Sequence, residues 1–265
     1  MPRARFTLLA CGLLAAGSLQ AQSSDYPLAL NLPTSDQMQF WDLGVGFTHR
    51  FVTPAKDHGK DAYGLDGLAY AGLGLDFGIK PIPGLNVLLY RTADNKTFVF
   101  ALQQRVVDHD WIRMSARAER FDEVIPAAQT TLGDVGITGT AFQLPTEFFL
   151  GDHVIVSLVP TYLSRTTTQR SGVFNVGVGV HISFTEKFGF MGEYYPTPSK
   201  VKKPGTDLNA GFAAGFTYKT FKHRFTLLAT NSTGTTANQV LSGDYGGGAR
   251  SSSQWSLGFN IARVF

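Results

Sequence analysis

His181, Ser183 and Glu193 have the residue types and spacing for acyl transfer. In the general form of that chemistry a serine is activated by a histidine, and a carboxylate orients the histidine. His181 and Ser183 lie two apart, on one face if the chain is extended. If a hairpin turns at Glu186, Glu193 falls near Gly179 and His181 on the same wall. A second set carries charge instead of a nucleophile: Asp42, Arg50, Asp76, Arg105, Arg113, Arg117 and Glu119 alternate with apolar neighbours and share the face that holds His181 and Glu193. Such a face either selects solutes or forms a salt-bridged filling. No other chemistry is written as clearly. Gly177-x-Gly179 is no nucleotide fingerprint, because no helix follows it. The His and carboxylate positions lack metal-ligand spacing, so neither a cofactor nor a metal is expected. Lys200, Lys202 and Lys203 could meet phosphate, although a solvated loop is the plainer reading.

The elements that must position these residues are strands. From Gln254 the chain alternates Trp255, Leu257, Phe259, Ile261 with Ser256, Gly258, Asn260, Ala262, then ends Arg263-Val264-Phe265. One wall is greasy and the other small or polar. An open terminal strand needs a partner, and pairing with the first strand abolishes both edges. Only a closed barrel satisfies every backbone group in lipid.

The same alternation recurs along the chain. Trp41, Leu43, Val45, Phe47 and Phe51 oppose Asp42, Gly44, Gly46, Thr48 and Arg50 within a first strand at Gln39–Phe51. Phe174, Val176, Val178, Val180 and Ile182 against Asn175, Gly177, Gly179, His181 and Ser183 is the cleanest case. Leu85–Thr92 is apolar on both faces and has no readable orientation, and Ile137–Leu150 is interrupted by Pro145. The count comes to about 12 strands. Connections at 80–84, 108–110, 151–152, 185–187 and 219–223 are short, while those between are mostly long. Short periplasmic turns with long outer loops, and an even count with both termini inside, are the outer-membrane pattern.

Residues 1–21 read as a signal peptide. Arg3 and Arg5 precede the apolar stretch Phe6–Ala16 and then small residues to Ala21. Cys11 is the only cysteine, so the exported chain would form no disulfide. Residues 22–38, with two prolines and little pattern, are expected to be a periplasmic lead-in, and 39–265 the barrel. Without Arg3 and Arg5 the balance is 21 basic to 20 acidic residues, which gives no case for nucleic acid. Mean hydropathy is −0.01, as suits strands with one polar face.

Several phrases together resemble an uncharacterised family of bacterial outer-membrane β-barrels, a domain of unknown function. They are His49-Arg50-Phe51, Gly64 to Gly67, Arg91 to Phe98, Pro160-Thr161-Tyr162, Glu193 to Pro196, Thr230-Asn231-Ser232 with Asn238-Gln239, and Gly258-Phe259-Asn260 ending in Arg263-Val264-Phe265. The resemblance implies a barrel and the cell outer membrane, and no chemistry. Phe265 also resembles the terminal aromatic by which barrel-assembly machinery recognises its clients, although Arg263 departs from that pattern. The expectation is an all-β, closed antiparallel transmembrane barrel: non-catalytic, a small channel or structural barrel with a polar lumen. It would meet outer-membrane lipid, the assembly machinery and small solutes. The alternatives are a barrel-embedded acyl hydrolase using His181, Ser183 and Glu193, or a loop-based receptor or adhesin. The hydrolase would resemble lipid-deacylating barrels in His-x-Ser spacing only. The trio would also face the lumen, whereas a lipid arrives from outside.

Overall fold

The computed structural model describes residues 30–39, 42–55, 62–79, 82, 84–125, 134–166, 171–198, 210–242 and 254–265. The signal peptide, the lysines at 200–203 and the glycine run at 246–248 lie outside the described residues.

Thirteen strand segments follow in order: β1 Leu43–Phe51, β2 Ala69–Gly78, β3 Leu85–Thr92, β4 Phe98–His109, β5 Ile112–Ile125, β6 Val135–Gln143, β7 Thr146–Leu150, β8 Val154–Arg165, β9 Ser171–Ser183, β10 Phe188–Tyr195, β11 Gly211–Thr220, β12 His223–Thr230 and β13 Ser256–Val264. β6 and β7 together pair with β5 on one side and β8 on the other, so they are two halves of one wall strand and the barrel has twelve. Each strand is antiparallel to the next. β13 returns to β1 through Gly44↔Val264 to Arg50↔Gly258, leaving no free edge. The expected fold class is the observed one.

The interruption between β6 and β7 has a local cause. Pro145 has no N–H to give β5, and Pro160, opposite Leu144 in β8, has none to give back, so a donor is missing on each side of the break. The wall is stitched there by carbonyls instead. Leu144 N–H donates to Pro160 O at 3.0 Å, and Ser115 N–H donates to Pro145 O at 3.0 Å. β1 starts at Leu43, because Asp42 N–H turns back to Gln39 O at 3.0 Å.

Outward side chains are apolar and open: Leu73, Phe100, Phe174, Val178, Phe216, Leu227 and Ile261 among them. Among the described residues no helix is long and apolar enough to cross a membrane. The crossing elements are strands. The inner end carries the short connections 79–84, 110–111, 151–153, 184–187 and 221–222. At the outer end, the connection after β12 folds inward and forms a short helix, α1 Ala237–Leu241.

The lumen is not polar throughout. Toward the outer end Tyr90, Val99, Phe121, Val159, Leu163, Val173 and Tyr195 form one buried cluster with Leu32, Val240 and Leu241. β3 is apolar on both faces for this reason: Tyr90 belongs to that inner cluster and Leu88 packs against it.

Candidate functional site

The lumen is occupied by the chain itself. Leu30–Met38, the described part of the lead-in, is buried inside the barrel. It runs from beside Arg50 and Glu193, near the outer ends of β1 and β10, down to the inner mouth where β1 begins.

Two charged side chains hold its upper end. The Glu193 carboxylate accepts hydrogen bonds from the backbone N–H groups of Leu30 at 2.6 Å, Asn31 at 2.9 Å and Leu32 at 3.3 Å, and from the Tyr195 hydroxyl. Arg50, with no exposed surface, donates through Nη2 to Leu30 O at 3.1 Å and Asn31 Oδ1 at 2.8 Å. Its Nη1 donates to Asn260 Oδ1 at 2.8 Å, and Asn260 Nδ2 donates to Leu30 O at 3.0 Å. Asn31 Nδ2 reaches the Tyr195 hydroxyl at 2.9 Å. Hydrogen bonds to ionised groups in a low-dielectric lumen are the strong kind.

The lower end is held by the inner-mouth charges. Arg113 pairs with Asp36 and, at 3.1 Å, with Asp108, while its guanidinium lies 5.0 Å over the Phe149 ring. Ser35 Oγ donates to Glu147, and Ser115 Oγ donates to Ser35 O at 3.0 Å. Gln103 Nε2 donates to Thr34 O at 2.9 Å. In the middle, Leu32 packs beside Gly177. A Cβ on Gly177 would stand 2.5 Å from Leu32 Cδ2, so the wall is thinned to admit the segment.

The other residues singled out in the sequence take separate places. Arg105 pairs with Asp108 at 2.9 Å and Arg117 with Glu119 at 3.1 Å. Asp76 is buried and accepts from Asn86 Nδ2 at 3.0 Å, and Asp42 stands at the start of β1. The β9–β10 register sets Glu193 against Gly179 and His181 against Met191. The carboxylate that would orient His181 is the one that holds Leu30–Leu32.

Alongside the lower part of the segment, a cavity of about 950 Å³ takes up the inner part of the lumen. Arg113, Glu147, His181 and Ser183 line its sides, Leu32 stands at its top, and the turns at Asp152 and Glu186 ring its mouth. Above, α1 lies across the outer end. Asn238 Nδ2 donates to Glu123 at 2.7 Å, and Asn175 Nδ2 donates to Leu241 O at 2.8 Å.

Sequence reasoning missed the segment. One signal was available: the cross-strand neighbours of Arg50 are Tyr70 and Gly258, and those of Glu193 are Gly179 and Ala213. An inward charge with no opposite charge beside it on the wall needs something else to answer it.

Residues 149–265 match a family described as a membrane bound beta barrel domain (DUF5777). The chain is an outer-membrane β-barrel. It is similar to the KdgM porin solved in complex with disordered oligogalacturonate, at 8% identity and TM-score 0.52, over 84% of this chain and 99% of that one. A second KdgM porin structure gives the same figures. A NanC porin structure aligns at 8% identity and TM-score 0.49, over 84% of this chain and 98% of that one. At this identity the likeness concerns the fold alone. No curated protein matches the sequence. The barrel's apolar outer wall meets membrane lipid.

Proposed function

We propose that this barrel is a non-catalytic passage for small solutes that rests closed, with Leu30–Met38 as its internal stopper. The carrying observation is that the obstruction belongs to a separate segment and not to the wall. The segment is held by hydrogen bonds and one ion pair to inward side chains. A twelve-strand wall lies between small barrels filled by their own side chains and open porins, so removing a stopper leaves room for a path. In this reading Arg105, Arg113, Arg117, Glu119, Asp76 and His181 are solute-facing residues of that path, with Asp42 at its inner entrance.

Absence of catalysis is part of the proposal. It is supported by the commitment of the Glu193 carboxylate to the backbone N–H groups of Leu30, Asn31 and Leu32. Residues 1–21 would direct export, and Phe265 would serve recognition by the assembly machinery.

The test is single-channel recording in planar bilayers of the wild type and Asn31→Pro. Proline removes the Asn31 N–H, the oxygen that faces Arg50 and the amide that faces Tyr195, and touches no wall strand. The wild type should be mostly silent and Asn31→Pro should show stable openings. If folded Asn31→Pro stays silent, the barrel is a sealed structural element and the proposal fails.

A further inference from the structure

Arg50 and Glu193 are both buried in the lumen, and among the described residues neither forms a direct salt bridge. Every acceptor around Arg50 is a neutral oxygen, and every donor around Glu193 is a backbone N–H or the Tyr195 hydroxyl. Peptide groups of Leu30–Leu32 are the direct partners of Glu193, and Leu30 and Asn31 supply two of the acceptors of Arg50.

What the segment presents is the outline of another molecule. Three N–H groups converge on Glu193, and an α-ammonium group carries three such donors. Two oxygens, Leu30 O and Asn31 Oδ1, converge on Nη2 of Arg50, and an α-carboxylate carries two. Leu30 N and Leu30 O belong to one residue, with a single Cα between the atom that Glu193 holds and the carbonyl that Arg50 holds. That is the connectivity of a free α-amino acid. Asn260 Nδ2 gives the carbonyl a further donor at 3.0 Å, and the Leu30 side chain packs among Met191, Ala213 and Leu228.

We propose that Arg50, Glu193 and Asn260 form a binding site for the zwitterion of an aliphatic α-amino acid, filled at rest by Leu30–Leu32 as an internal stand-in. This rests on reading the lumen as a solute path, and it names the solute class. A lone anion would leave Glu193 unanswered, a lone cation would leave Arg50 unanswered, and a neutral solute answers neither. A short tether presents its segment at an effective concentration on the order of millimolar, so a free amino acid must outcompete it. Weakening the segment should therefore raise apparent affinity.

The experiment is isothermal titration of the detergent-refolded full chain with L-leucine. It needs no conduction, so a silent bilayer leaves it decisive. Asn31→Pro should bind L-leucine at least about tenfold more tightly than the wild type, as expected when a tethered competitor is loosened. Asn31→Ala, which removes only the two side-chain bonds, should fall between them and serves if the proline variant does not fold. Adding Glu193→Gln to either should abolish binding while the protein still migrates as a folded barrel in unheated SDS. N-acetyl-leucine amide, which lacks both charges, should not bind. If both folded Asn31 variants bind no L-leucine, or bind it no better than N-acetyl-leucine amide, the proposal is overturned. If leucine binds while bilayers stay silent, the site stands and the passage does not.

Discussion

Arg50 and Glu193 hold the two ends of one residue: the guanidinium takes the carbonyl of Leu30 at 3.1 Å, and the carboxylate takes its N–H at 2.6 Å. The wall thus grips backbone, and the grip depends on where these charges stand. Arg50→Met keeps much of the side-chain length but leaves Leu30 O, Asn31 Oδ1 and Asn260 Oδ1 short of a donor. Leaving a buried acceptor without its donor costs about 1–3 kcal/mol. Urea unfolding in lipid vesicles should show a loss of that order. A loss below about 1 kcal/mol, the typical worth of an exposed ion pair, would show that the segment adds little to native stability.

Neighbouring positions on β9 should respond in opposite ways. Val178 faces lipid, and Val178→Arg should destabilise the barrel by about 2–4 kcal/mol near the bilayer midplane. Gly177→Val puts a side chain where Leu32 now packs. It should leave the wall folded, as judged by unheated SDS migration, and raise bilayer conductance by dislodging the segment. Equal destabilisation by the two changes, without any change in conductance, would contradict the close approach of Leu32 to the wall.

The outer end carries a pH-sensitive contact. Asp94, in the connection from β3 to β4, is pushed up to about 7, first by burial and then by the nearby charge of Glu123. Its folded value lies above its ordinary 3.8, so the native state holds the proton more tightly than the unfolded chain does. The stability this provides is fully present below about pH 4 and is lost as pH rises through about 7. The urea midpoint should decline across that window, and Asp94→Asn should flatten the decline. An identical slope in the variant would remove Asp94 as its source.

Deleting Phe265 separates folding from delivery. The residue gives one N–H bond to Leu43 O at 2.9 Å, and its ring lies 4.5 Å beneath the Arg263 guanidinium. The deletion should cost at most about 1.5–3 kcal/mol, the worth of one fully buried large side chain. The refolded protein should therefore keep its strand-rich circular dichroism and its heat-modifiable migration. If Phe265 is the assembly signal, the same chain expressed in cells should be depleted from outer-membrane fractions. Normal outer-membrane yield would assign recognition elsewhere.

The wall was legible in the sequence because its forces are local and periodic. Phe174 to Ser183 alternates at a period of two, and that alternation sets faces before any contact is known. Turn lengths then set the polarity of the barrel. The stopper was not legible, because Leu30–Met38 has no strand ladder of its own to impose a period. Its partners are Glu193, Arg50, Gln103 and Arg113, brought to it only by closure of the ring. β3 was unreadable for the opposite reason: lipid lies on one side and the Tyr90 cluster on the other, so both faces are apolar.

A segment enclosed by a ring also constrains the order of events during folding. Leu30 bonds to Glu193 across 163 residues and to Asn260 across 230. Both partners must be in place before those bonds can form, and contacts so distant in sequence are slow to make. Either the last strands close around a segment already lying inside, or the finished ring admits it through the inner mouth. In both routes its seating is a late step. Refolding followed by strand formation should therefore run ahead of refolding followed by protection of the Leu30–Leu32 amides from solvent exchange.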